Sequence, residues 1–221
     1  METLDQKRGR FIVFEGIDGA GKSTQIQKAA KWLSEYDLQI YPTFEPTDGP
    51  VGSLIRQMLE GQVATDQRTI ASLFAADRTD HLLNERNGIA KKVEEGWTVL
   101  CDRYYFSSYA YHAQYIDMAW VIHANALNAR ILKPDLVIFI DVDPETCFKR
   151  ISQNRDRFDM YEKTDVLKQV RSNYFKAFRR LEADENIVIV DGNTGVDTVE
   201  AAVKKEIENQ FDPGGYLKEK R

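Results

Sequence analysis

Apolar and polar positions along the chain follow two alternating periods. Five short runs rich in β-branched and aromatic residues stand out, at Phe11–Phe14, Gln39–Phe44, Thr98–Cys101, Leu136–Ile140 and Ile187–Val190. Their length and apolar continuity are those of strands buried on both faces. The segments between them carry helical spacing instead. Ile26, Ala29, Ala30 and Leu33 form one stripe, and Ile70, Leu73, Phe74 and Asp77–Leu82 belong to a longer helix expected to run to about Glu95. Met118–Ile131 reads as another helix, ended before Pro134. Pro144 takes a first-turn position ahead of Glu145–Ser152, and Val166–Leu181 and Val196–Ile207 complete the set. Strands alternating with helices predict an α/β architecture, with a parallel sheet covered on both faces. Ligands in such sheets sit at the carboxyl ends of the strands. Each run is followed at that end by polar or charged residues: Glu15–Asp18, Glu45–Asp48, Asp102–Arg103, Asp141–Asp143 and Asp191–Asn193.

One of those strand ends carries a specific chemistry. Gly16-Ile17-Asp18-Gly19-Ala20-Gly21-Lys22-Ser23-Thr24 is a complete phosphate-binding loop of the form G-x-x-x-x-G-K-[ST], set between the first strand and the first helical stripe. Its glycines let successive N–H groups turn toward an anion. Lys22 supplies a mobile cation for the β- and γ-oxygens, the Ser23 hydroxyl suits Mg²⁺, and the helix starting near Lys22 adds its positive dipole end. A chance glycine-rich turn is the alternative, and the strand before and helix after argue strongly against it.

Composition narrows the rest. A chain of 221 residues is expected to form one domain over residues 1–221, with a frayed tail at about 212–221. The net charge of −5 provides no cationic field for a nucleic acid or membrane surface, so any anionic substrate needs local basic clusters. Cys101 and Cys147 lack metal-ligand spacing and read as buried free thiols of a reducing compartment. No stretch has the length of a membrane span, and the first ten residues are charged rather than signal-like, which points to a cytoplasmic protein.

Four further clusters bear on what receives the phosphoryl group. Asp102-Arg103-Tyr104 offers a carboxylate for Mg²⁺ and a guanidinium for bidentate phosphate binding; a surface ion pair is the plainer reading, and the strand-end placement favours function. Phe74 and Arg78, four apart on a helix, suit a flat heterocycle that one stacks upon and the other hydrogen-bonds, although a core phenylalanine beside a solvated arginine is commoner. Ser107-Ser108-Tyr109-Ala110-Tyr111-His112 reads equally as a nucleoside pocket or as a serine-capped helix start. Arg150, Arg155 and Arg157 fall between two helices, as a lid over about 150–163 that brings cations to the migrating group, or as a solvated basic loop. On charge count alone the second reading wins. His81, His112 and His123 have neither triad partners nor metal spacing, and none is assigned a catalytic role.

In this order the motifs closely resemble the thymidylate kinases of the P-loop nucleoside monophosphate kinase class, from about Arg10 to Ile207. The resemblance rests on Phe14–Gln25, on Glu45-Pro46-Thr47 with Gly52 and Ile55-Arg56, and on Leu73–Arg78. Asp102-Arg103-Tyr104 with Ser107-Ser108 and Ala110-Tyr111, and Asp141–Glu145, complete it. It implies a three-layer α/β/α P-loop NTPase fold with a five-stranded parallel sheet and a short lid, and transfer of a phosphoryl group from ATP to dTMP with Mg²⁺. It also implies a homodimer; a nucleic-acid-binding role is disfavoured by the acidic balance and the absence of a basic stripe. Matched to the family, Gly16–Thr24 and Arg150 would hold ATP, Lys22 would bridge the donor phosphates, and Asp18 would face the sugar 3′-hydroxyl. Phe74 would stack on thymine, Arg78 would donate to its O4, and Ser108 would meet its N3 edge. Tyr111 would crowd the 2′ position. Arg103, assisted by Arg56, would hold the acceptor phosphate; Ser23 and Asp102 would lie at Mg²⁺. With Gly19 at the loop position where some members carry an arginine, Arg155 and Arg157 make this the lid-arginine type. Two positions depart from the pattern: Phe44 replaces an arginine that usually precedes the Glu-Pro pair, and His112 replaces a common glutamine. A rival reading keeps the architecture with another acceptor; a second is a nucleotide-binding regulator without transferase activity.

Overall fold

The computed structural model of the chain describes residues 8–154 and 163–211. Five parallel strands, β1 (Phe11–Glu15), β2 (Ile40–Phe44), β3 (Thr98–Asp102), β4 (Leu136–Asp141) and β5 (Ile187–Asp191), form one sheet in the order β2-β3-β1-β4-β5. β1 lies at the centre because the chain first crosses to β2 at one edge, returns to β3 beside β1 and then crosses to β4 and β5 on the other side, so the loop after β1 sits at the topological switch point. Phe11–Phe14 are fully buried, as continuous apolar strands covered on both faces must be. The strands run slightly further than the apolar runs predict. β1, β3, β4 and β5 each take in one more residue, an acid, and β2 is followed directly by Glu45, so five carboxylates line one edge.

Helices cover both sides. α1 (Lys22–Leu33) packs against α10 (Val196–Phe211), while α5 (Tyr105–His112) packs against α9 (Thr164–Leu181). Aromatic contacts tie α5 and α9 to the sheet: Phe139 of β4 lies 4.9 Å from Tyr174 and 5.0 Å from Phe178, and Phe106 lies 5.2 Å from Phe178. α8 (Pro144–Asn154) starts on its proline as expected.

The helical expectations need four corrections. The long helix expected to reach Glu95 is two, α3 (Gln67–Leu83) and α4 (Ile89–Glu94). Between them the Asn84 side chain accepts from Arg86 N at 3.1 Å and Gly88 N donates to Asn84 O at 2.8 Å, turn chemistry that the apolar spacing bridged. Met118–Ile131 likewise divides into α6 (Met118–Ala124) and α7 (Ala126–Ile131). The break is at buried Asn125, whose Nδ2 donates back to Val121 O at 2.9 Å, a side-chain competitor for the helix ladder. A further helix, α2 (Pro50–Leu59), is absent from the expectations, although it opens on a proline and carries Val51, Leu54, Ile55, Met58 and Leu59 at helical spacing. Finally, Arg150 belongs to α8 and not to a loop between helices; Arg155 and Arg157, with the body of the expected lid, lie outside the described residues.

Candidate active site

The loop after β1 turns sharply into α1. Gly21 caps the helix in the left-handed region, at φ 92°, and Gly19, at φ 79°, passes so near α8 that an added Cβ would sit 2.7 Å from Cys147 O. Both demands exclude a side chain. Lys22 opens α1 and folds back over the loop, its Nζ donating to Ile17 O at 3.3 Å and lying 3.9 Å from Asp102 Oδ1. Burial, followed by the charge of Arg103, pushes its pKa down, against the pull of Asp102, Asp18 and Glu15. Ser23 Oγ donates to Asp102 Oδ2 at 2.5 Å, while Asp102 Oδ1 is buried without a hydrogen-bond partner among the described residues. A hydroxyl and a carboxylate with an unsatisfied oxygen are hard donors that suit Mg²⁺, which takes few protein ligands and completes its shell with phosphates and water.

Facing the loop is a second charged group. Arg103 holds its backbone at φ 70°, in the left-handed region, right at the end of β3. Its Nη2 donates to Asp18 Oδ1 at 2.5 Å and to Tyr111 OH at 3.2 Å, and Nη1 donates to Gly16 O at 3.2 Å and Ser107 Oγ at 3.0 Å. Tyr111 OH donates in turn to Asp18 Oδ2 at 2.7 Å. Burial favours the neutral Asp18 acid, yet Arg103, Lys22 and the Tyr111 hydroxyl outweigh it and hold the carboxyl below its usual range. One cavity of about 830 Å³ joins the two sides, lined by Lys22, Ser23, Asp102, Arg103, Arg150 and Phe44 among others. Arg150 reaches Gly19 O and Gly192 O, each at 3.4 Å. Phe44 is 45% exposed and lines the cleft together with Ile26, Pro42 and Ile151.

This assembly of a strand-end phosphate loop with an Asp102-Arg103 pair across from it agrees with comparison to known proteins. The model of the thymidylate kinase family matches residues 14–203. The chain belongs to the thymidylate kinase family. Among its relatives, a probable thymidylate kinase of Methanocaldococcus jannaschii is 36% identical over 94% of this chain and 95% of its own length. One from Methanobrevibacter smithii is 38% identical over 89% and 93%, and a putative thymidylate kinase of Treponema pallidum is 34% identical over 86% and 90%.

Set against the residues that the family resemblance singles out, the structure gathers most but not all. Asp18, Gly19, Gly21–Thr24, Asp102, Arg103 and Arg150 line the cleft, Tyr111 is hydrogen-bonded to Asp18 and Arg103, and Ile17 and Ala20 of the loop are buried in the core. Arg78, Ser108 and Phe74 form an adjacent group. Arg78 is 1% exposed, and its fork is largely committed to protein: Nε donates to Glu45 Oε2 at 2.8 Å, Nη1 to Ser108 Oγ at 3.2 Å and also to Asn125 Oδ1. Nη2 lies 2.7 Å from Glu45 as well, so the arginine is buried in an ion pair and not beside solvent. Phe74 is half-buried, its ring 5.1 Å from that of His112. Arg56 stands apart. It donates to Pro46 O at 2.8 Å and to Asp48 at 3.1 Å, fastening the β2–α2 loop, with no described contact to Asp18 or Arg103. Serine capping of α5 is also corrected: the Ser107 hydroxyl turns instead to Glu15 at 2.6 Å. Sequence reasoning gave no site role to Glu15, Glu45, His81 or Tyr174, though it marked the first two as acids directly after an apolar strand.

Proposed function

We propose that this chain is a thymidylate kinase that transfers the γ-phosphoryl group of ATP to dTMP, giving dTDP and ADP. The observation that carries the reading is the cleft in which Lys22 and the phosphate loop face Arg103 and Asp18, both of them hydrogen-bonded to Tyr111 OH. One side suits the donor triphosphate and the other a phosphorylated deoxynucleoside. A phosphate monoester is already a nucleophile at neutral pH, so the reaction needs alignment and charge neutralisation and no strong base. Arg103 holds the acceptor phosphate; its Nε–H has no protein partner among the described residues and is open to an oxygen. Lys22 follows the β- and γ-oxygens. Asp18, fixed by Arg103 and Tyr111, takes the sugar 3′-hydroxyl, and the ring of Tyr111 disfavours a 2′-hydroxyl. Phe74 stacks on the base beside Arg78 and Ser108. Ser23 and Asp102 would hold Mg²⁺, which when bound draws charge from the migrating group. The family resemblance assigns the remaining positive charge on the migrating group to Arg155 and Arg157, which lie outside the described residues.

The same reading extends to the cell and the assembly. Leu83, Trp120 and Leu127, on the contacting helices α3, α6 and α7, are 56%, 42% and 52% exposed, which supports a homodimer through these helices. Among the described residues no helix is long and apolar enough to cross a membrane. Free buried Cys101 and Cys147 accord with the reducing cytoplasm. The deciding experiment is ADP release from Mg²⁺-ATP with dTMP against dUMP, dGMP, dCMP, UMP and thymidine. Strong preference for dTMP is expected. Preference for another monophosphate refutes the substrate, and ATP binding without any turnover refutes the kinase.

A further inference from the structure

Glu15 is the last residue of β1, fully buried, and outside every role assigned above. Its Oε1 accepts from Tyr104 N at 2.9 Å and Ser107 N at 3.1 Å. Its Oε2 lies 2.6 Å from Ser107 Oγ and 2.8 Å from Tyr174 OH, which are themselves 2.8 Å apart. A buried carboxylate is costly, and this one is retained with four donors around it. Those donors share one feature: all touch Arg103 or directly follow it. Tyr104 N belongs to the peptide just after the strained Arg103 backbone, while Arg103 N donates to Phe14 O at 2.9 Å. The end of β1 therefore grips the left-handed residue from both sides, offsetting its backbone strain. At the other end of the side chain, Arg103 Nη1 rests on Ser107 Oγ at 3.0 Å and approaches Tyr174 OH at 3.5 Å.

We propose that Glu15 is a positioning residue for the acceptor phosphate, fixing the Arg103 guanidinium through the turn that carries it and through the Ser107–Tyr174 pair on which it rests. The inference rests on Arg103 as the acceptor-phosphate grip. Glu15 ties this grip by hydrogen bonds to the donor side, since the next residue along the backbone is Gly16 of the phosphate loop. The two halves of the reaction thus share one anchor, and misplacing it displaces the acceptor phosphate first.

The test is calorimetric titration of dTMP, thymidine and ATP into the wild-type chain and Glu15→Gln. In the variant, dTMP affinity falls about tenfold, the size of one lost charge-assisted contact, while thymidine and ATP affinities stay within about twofold. Thymidine lacks only the phosphate, so a general loss of structure would weaken both ligands together. Equal weakening of dTMP and thymidine, or no change in either, overturns the inference and leaves the kinase reading standing. A wild-type chain that binds no dTMP overturns both. Where Glu15→Gln does not fold, Tyr174→Phe serves: it removes one hydroxyl from the cluster, and a several-fold loss confined to dTMP supports the proposal, while unchanged dTMP affinity overturns it.

Discussion

His112 gives the structure a measurable dependence on pH. The imidazole is 2% exposed, its ring lies against Phe74, and Nδ1 is buried without a partner among the described residues. Burial first, then the nearby Arg78 charge, pushes its pKa down to about 3 from 6.5. Between those values the unfolded chain binds a proton that the folded chain refuses. Stability is therefore complete above the unfolded value and falls as pH drops below it. At about pH 5.5 the unfolded histidine is roughly nine-tenths protonated, and the expected loss relative to about pH 7.5 is about 1.4 kcal/mol. Glutamine at this position has no such proton. Urea unfolding of the wild type and His112→Gln at both pH values isolates the difference, because the remaining groups titrate in both chains. The wild type should lose about 1.4 kcal/mol more than the variant on acidification. Equal pH dependence of the two chains would refute a buried neutral imidazole.

Glu45→Ala should destabilise by about 3 kcal/mol or more, read as a lowered urea midpoint, because it leaves Arg78 charged, 1% exposed and without its carboxylate; an unchanged midpoint would show that Ser108 and Asn125 suffice. Lys22→Ala should cut turnover by about a hundredfold or more without lowering the midpoint. Its ammonium is held in a buried position that depresses its pKa, so its removal relieves folding while disabling transfer; normal turnover would sink the mechanism.

The sheet and the phosphate loop were legible because their signals are local. Five apolar runs each end on an acid, and the loop's glycines and Lys22 lie within a few residues of the strand that positions them. Nothing comparable announces the helix breaks. Asn125 ends α6 partly because its Oδ1 receives Arg78, a residue 47 positions earlier, and helical periodicity at Met118–Ile131 carries no trace of that partner. Glu15 was equally silent: Ser107 is 92 and Tyr174 159 positions away, so the carboxylate reads as one more strand-end acid until the fold closes around it.

The acidic balance of the chain, −5 overall, sets a problem that the cleft solves locally. Three cations line it among the described residues, Lys22, Arg103 and Arg150. Arg103 and Lys22 each stand beside a carboxylate, Asp18 and Asp102. Such pairing holds the cations in place before a substrate arrives, at the cost of part of their attraction for it. Phe44 sharpens this balance, since the family pattern has an arginine there and Arg56 is engaged by the β2–α2 loop. Under the proposed function, the acceptor side then depends on Arg103 more heavily than the family resemblance implies. Its direction must come from fixed protein contacts and not from a surrounding ring of charge, which is why the buried anchor beneath it at Glu15 is the part of the site where a neutral substitution should register most selectively.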